Sequence, residues 1–253
     1  MALISRRMRR GAPRGPYYAN AVRFDGTNDY LTRDADLTGA TDGKQLLAAF
    51  KIRMDEDGDG VAQLIFANSL TLAGSDLSLR MSRGANNNFA IACDNASATP
   101  IVSLATAVNS VKASTGWISV LTSFDLTDTG KRHLFIGDTS ALDAVAVYAD
   151  DTMKLAGADW SVGARPNGTA PLNADVCDLM LWRTYLAVSV EANRRLFHDG
   201  DGKPVNPAVA IAALGQPLIR LSGQTAKWHQ NKGSGGGFTE NGELTTSTTS
   251  PSD

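Results

Sequence analysis

Three aspartates at alternate positions, Asp55, Asp57 and Asp59, followed by Gly60, match the first half of a calcium loop. Where the chain turns sharply, alternating carboxylates can converge on one hard cation. The twelfth position of such a loop should carry a bidentate Glu, but here it is Phe66. Asp and Gly are also ordinary turn formers. Calcium is therefore a candidate ligand and a plain solvated turn its rival. His198-Asp199-Gly200-Asp201-Gly202 is a shorter echo that reads as a helix stop.

A second set of residues has the chemistry of sugar recognition, in which amides and a guanidinium meet hydroxyls and an aromatic ring stacks on a pyranose face. Asn86, Asn87 and Asn88 form one polar turn, and Trp160, Arg165 and Asn167 surround a Pro/Gly loop at 163–172. Of the four tryptophans, Trp117 and Trp182 lie in apolar strands and read as core, while Trp160, beside Asp159 and before that loop, is the better exposed candidate. A third set, Arg6, Arg7, Arg9, Arg10 and Arg14, makes residues 1–20 a basic arm. No aromatics interleave these arginines, so the arm reads as a protein-docking strap and nucleic acid is not its expected partner.

Catalytic arrangements are missing. Glycoside hydrolysis needs two carboxylates flanking one bond. The four glutamates fall in a turn (Glu56), a helix (Glu191) and a C-terminal stretch (Glu240, Glu243). His133, His198 and His229 form no spaced metal pair, and there is no Gly-x-Ser-x-Gly elbow. The expectation is a protein that binds or builds, with no enzymatic activity.

The elements that must position these residues are strands. With 253 residues, 43% hydrophobic and 20% charged, the chain is long enough for one large sandwich. Its 22 Asp against four Glu, together with 24 Gly, favour turns over helices. Trp117–Phe124 and Lys131–Gly137, joined by Asp125–Gly130, read as a hairpin. Its first arm is apolar on both faces, so it should be a central strand covered twice. Lys44–Met54 alternates, with Leu46, Ala48, Phe50, Ile52 and Met54 on one face and Gln45, Lys51 and Arg53 on the other. Ala21–Thr32 reads as a tight hairpin, Val61–Asn68 as a strand returning after the Asp55–Gly60 turn, and Ala226–His229 as a late strand. Short helices are expected at 189–198 and 206–214. Cys93 and Cys177 each fall inside a strand and read as buried free thiols. Net charge is −2, but the first 20 residues carry five Arg and no acid, leaving 19 basic against 26 acidic residues elsewhere.

Three stretches carry a resemblance. They are Phe24-Asp25-Gly26-Thr27-Asn28-Asp29-Tyr30-Leu31, the Trp117–Asp125 strand followed by Leu134-Phe135-Ile136-Gly137-Asp138, and Asp175–Trp182 before a short helix. Across about 21–196 they resemble the laminin-G-like branch of concanavalin A-like jelly rolls. The ending, Pro217–Gly223 followed by Gly233 to Asp253, resembles lectin-fold proteins of bacteriophage and prophage structural modules. The resemblance implies an all-β, two-sheet antiparallel sandwich with sugar- or protein-binding loops at one rim.

The expected organisation is thus an arm (1–20), a jelly-roll domain (21–231) and a Gly/Ser/Thr-rich tail (232–253). The leading expectation is a structural virion subunit (decoration, spike or fibre) docked through its arm to capsid, portal or tail proteins and assembled as a homo-oligomer. The alternative is a carbohydrate-binding module for host surface glycans. No apolar segment follows the N-terminal arginines and no run approaches membrane-spanning length. The expectation is therefore synthesis in a bacterial cytoplasm without a signal peptide, a final place in the virion, and no membrane partner.

Overall fold

The computed structural model, which describes residues 17–69 and 77–253, stacks two antiparallel sheets face to face. Strands are numbered in chain order. Sheet A runs β10 (Thr139–Ser140), β9 (Arg132–Ile136), β8 (Ile118–Asp125), β3 (Gln45–Met54), β13 (Asn173–Trp182), β1 (Val22–Asp25) and β16 (Thr245–Thr246), with β14 (Ile219–Leu221) pairing further along β13. Sheet B runs β11 (Leu142–Tyr148), β7 (Pro100–Thr106), β6 (Phe89–Asp94), β5 (Leu77–Arg83), β4 (Gln63–Ser69), β12 (Asp159–Val162), β2 (Tyr30–Arg33) and β15 (Thr239–Asn241). Two short helices, α1 (Glu191–Arg194) and α2 (Ala208–Leu214), fall where Glu191 and Pro207 announce them. No helix among the described residues is long and apolar enough to cross a membrane. The all-β sandwich expected from strand patterning is what forms.

The core lies between the sheets. Leu46, Ala48, Phe50, Ile52 and Met54 of β3 all enter it, as their alternation requires. β8 is central, flanked by β3 and β9. Val120 and Phe124 join the main core while Leu121 packs into a second apolar cluster on the outer side of sheet A. That second cluster (Leu47, Ala49, Leu121, Phe135, Met180 and Trp182) is roofed by Val188, Phe197 and Ala210 from the α1–α2 region. Cys93 and Cys177 are free and buried.

Four local expectations are corrected. The turn at Asp25–Asn28 does not close a hairpin. β1 pairs with β13 and β16 in sheet A, whereas β2 pairs with β12 and β15 in sheet B, so the turn passes between sheets. The Asp55–Gly60 turn likewise hands the chain from β3 to β4 in the other sheet. Residues 226–229 lie in a 3-10 helix, Thr225–Gln230, which buries Trp228 edge-on against Phe24 at a centroid distance of 5.9 Å. Finally, the Gly/Ser/Thr stretch is no free tail. β15 and β16 extend both sheets, Phe238 and Leu244 are buried, and the Ser250 hydroxyl donates to the Ala19 carbonyl at 2.7 Å. Backbone pairing and two buried apolar side chains hold this segment despite its polar composition.

Candidate functional site

The outer face of sheet A divides in two. Strand register aligns Leu121, Ala49 and Met180 in one row, and Ser123, Leu47 and Trp182 in a second. These largely apolar rows lie beneath the helices. The next row is Ser119, Lys51 and Cys177, followed by Arg53 beside Asp175. Lys51, Ser119 and Cys177 are themselves buried, Cys177 under Tyr17, Ala19 and Ala21. Between Cys177 and Met180 the register slips by one residue, and Asp178 sits there with φ +49°. A bulge of this kind re-aims a side chain, and Asp178 is brought beside Cys177 on the polar half.

An open pocket of about 530 Å³ occupies that half. Lys51, Arg53 and Ser119 form its floor. Trp117 and Ile118 stand at one side, and the Asp201–Lys203 turn and the Thr249–Asp253 strap complete the rim. Several bonds fix these parts. The Trp117 indole N–H donates to Thr249 Oγ1 at 3.1 Å, and Lys203 Nζ donates to the Ser252 carbonyl at 3.1 Å. Asp199 Oδ1 accepts from the backbone N–H groups of Asp201 and Lys203, which shapes the turn. Arg53 Nε donates to Asp175 at 2.8 Å, so that guanidinium is already neutralised.

Lys51 differs. It is only 4% exposed and its Nζ has no hydrogen-bond partner among the described residues. Burial pulls its pKa down to about 8, and the charges of Cys177, Asp178 and Asp199 oppose that shift. An unpartnered buried ammonium is costly for a fold to hold. Behind it, burial raises the Asp178 carboxyl to about 6, and the Tyr17 hydroxyl donating at 3.1 Å to both its oxygens works in the opposite direction. Burial also keeps the Cys177 thiol protonated, its pKa raised well above the ordinary value. An aromatic edge and hydroxyls around an open hollow suit a polar ligand with a flat apolar face.

The residues expected from sequence lie elsewhere. Trp160 is fully buried in β12 between β4 and β2, its indole N–H on Asp36 Oδ1 at 3.3 Å, so it offers no stacking platform. Trp160 and Val162, at alternate positions of β12, share the face that enters the main core. Asn86 is exposed and its carbonyl accepts from Asn109 at 2.9 Å. Asn87, at φ +54°, is buried and its Oδ1 accepts from the Gly60 N–H at 2.8 Å. Asn88 is half-buried and closes its own turn on Gly84. Arg165 is half-buried in a tight loop, and the exposed Asn167 spends its Oδ1 on Thr169.

The aspartate turn meets the Asn87 turn directly, but its acids are engaged by cations. Asp55 pairs with Arg23 at 2.7 Å, and Asp59 pairs with Arg83, whose side chain is fully buried; Asp57 stays exposed. Arg83 also donates to the Gly58 and Val111 carbonyls. No group of three or more His, Cys, Asp or Glu suited to a metal occurs among the described residues. Arg6, Arg7, Arg9, Arg10 and Arg14 lie outside the described residues.

The pocket escapes sequence reasoning because Trp117 sits in an apolar strand and the C-terminal strap has the composition of a tail. Its one visible signal was Lys51, a charge inside the apolar run Leu46–Ile52.

No family model matches the chain, and no curated protein matches it in sequence. Solved structures do. A native heptameric SAP-like pentraxin from Limulus polyphemus is similar with a TM-score of 0.54 at 12% identity, covering 90% of this chain and 94% of that one. A candidate carbohydrate binding protein from Bacteroides ovatus is similar with a TM-score of 0.61 at 12% identity, covering 93% of this chain and 62% of that one. This chain thus spans less than two thirds of the Bacteroides protein. Likeness at such identity concerns the fold alone, and the fold is a concanavalin A-like, lectin-type jelly roll.

Proposed function

We propose that this lectin-type sandwich is a carbohydrate-binding module that holds a glycan without transforming it. The observation that carries the reading is the open pocket of about 530 Å³ on sheet A, with the half-buried Trp117 at its side and Ser119, Thr249 and Lys203 around it. An indole supplies a flat apolar surface for a sugar ring, and hydroxyls and amines supply the bonds that orient it. The description of the Bacteroides ovatus protein, a candidate carbohydrate binding protein of the same fold, agrees with this reading. The test is a screen of the intact protein on bacterial capsule and lipopolysaccharide glycans, with Trp117→Ala beside it. Glycan binding that is lost in Trp117→Ala while the melting temperature holds supports the reading; no binding by the intact protein overturns it.

A virion-subunit role is a second, compatible reading, and one observation favours it. Tyr17 and Ala19, where the basic arm joins the body, are tied down by Asp178, Ser250 and Ser252, so the arm joins at a fixed point beside the pocket. Removing residues 1–16 should abolish incorporation into a particle. Full incorporation without them would overturn the docking role.

A further inference from the structure

We infer that β11 is a docking edge for a second copy of this chain, the two β11 strands pairing antiparallel about a twofold axis. This surface lies outside the readings above and does not depend on what fills the sheet A pocket.

The edge strands of the two sheets differ sharply in length. β10 and β16 have two residues each, and β14 and β15 have three, whereas β11, at the end of sheet B, has seven. Short edges protect a sheet from pairing with another chain, and a long one invites it. Among the described strands β11 pairs only with β7, so a row of its main-chain donors and acceptors faces outward. Its sequence, Leu142-Asp143-Ala144-Val145-Ala146-Val147-Tyr148, carries one charge and neither the Lys nor the Pro that guards many edges. Leu142 and Tyr148 lean on the core at its two ends, and residues 143–146 between them are exposed. Val145 is 39% exposed, and among the described residues it is the one large apolar side chain left so open within a strand.

The strand that fits this edge is another β11. Its register against β7 shifts between Leu142 and Ala144 and again between Val145 and Val147. Bulges of this kind bend a strand and increase its twist, which turns away a flat partner. A copy related by a twofold axis has the same bend and twist. The charges agree with antiparallel self-pairing as well. Centred on Val145, it sets each Asp143 opposite a Val147, and no two carboxylates meet. In-register parallel pairing would instead put Asp143 beside Asp143, and like charges so placed destabilise a strand pair. Main-chain bonds then supply the attraction, and the apolar side chains around Val145 supply the selectivity.

The experiment is sedimentation of the intact protein over a range of concentrations. The expected result is a reversible shift toward twice the chain mass. Val145→Lys changes an exposed position and places two like charges on the axis, so it should lose that shift while the melting temperature holds. Hydrogen exchange on the wild type needs no variant to fold. The β11 amides should slow as concentration rises, while those of α2, where the exposed Val209 is a rival apolar surface, should not. A monomer at every concentration overturns the inference. So does a dimer that survives Val145→Lys, or protection that appears at α2 and not at β11.

Discussion

The indole N–H of Trp117 donates to the hydroxyl of Thr249 at 3.1 Å, across 132 positions of sequence. The bond ties the start of β8 to the C-terminal strap, so the aromatic side of the pocket is set by a segment whose composition suggests no structure at all. Replacing Thr249 by Val removes the acceptor and keeps the shape. The expected loss of stability is about 1 kcal/mol, the net worth of one partly exposed hydrogen bond. Glycan affinity should fall more than the melting temperature suggests, because Trp117 loses its fixed orientation. Unchanged affinity in Thr249→Val would show that the orientation of this ring does not matter for binding.

Lys51 should be a stability liability. A lysine whose folded-state pKa lies near 8, against an ordinary 10.5, destabilises the fold fully below pH 8, and the penalty is relieved as pH rises to 10.5. The difference corresponds to roughly 3 kcal/mol. Lys51→Met should therefore raise the melting temperature at pH 7, and its advantage over the wild type should shrink between pH 8 and 10.5. Comparing the two proteins at each pH removes the contribution of the buried thiols and tyrosines, which titrate in both. A variant less stable than wild type at pH 7 would mean that Lys51 has a partner within the folded chain.

The aspartate turn is expected to behave as a clamp. Asp59 and the Gly58 carbonyl hold the fully buried Arg83. Asp59→Ala should cost about 2 kcal/mol, less than the ~3–5 kcal/mol of a fully buried pair because Asp59 is partly open to water. Since Asp55 and Asp59 already face guanidinium groups, millimolar calcium should leave the melting temperature unchanged. A rise of several degrees that Asp57→Ala abolishes would restore the calcium site.

Tyr17 is the seal over the buried carboxylate. Tyr17→Phe deprives Asp178 of its hydroxyl donor and should cost about 1–3 kcal/mol at neutral pH. The sign follows from the raised carboxyl: its penalty is absent below the ordinary carboxylate range, grows as pH rises from there to about 6, and is constant above it. The deficit of Tyr17→Phe should accordingly be smaller at pH 4 than at pH 7, measured by urea melts at both. A deficit independent of pH would assign the loss to packing alone.

The architecture was legible wherever a local period carried it. The alternation of β3 and the two-faced apolarity of β8 placed both strands at the centre of sheet A, and Pro207 announced α2. What local pattern could not reveal was partnership. The Asp25–Asn28 turn has hairpin chemistry, yet its strands belong to different sheets, since β1 finds β13 and β2 finds β12 far along the chain. Trp160 was misplaced for the same reason: a four-residue strand between two others looks like loop flank until its neighbours are known. The pocket draws on residues near 51, 117, 203 and 251, which no spacing rule connects.

The four indole N–H signals in a two-dimensional NMR spectrum, followed during titration with a bound glycan, test the location of the site directly. Trp160, Trp182 and Trp228 are buried, whereas Trp117 is half-buried at the pocket. The Trp117 indole signal should shift in proportion to occupancy while the other three stay in place. Saturable binding that leaves Trp117 unmoved and instead perturbs the amides of Asn86 or Asn167 would put the glycan at the loop rim and contradict a binding site on sheet A.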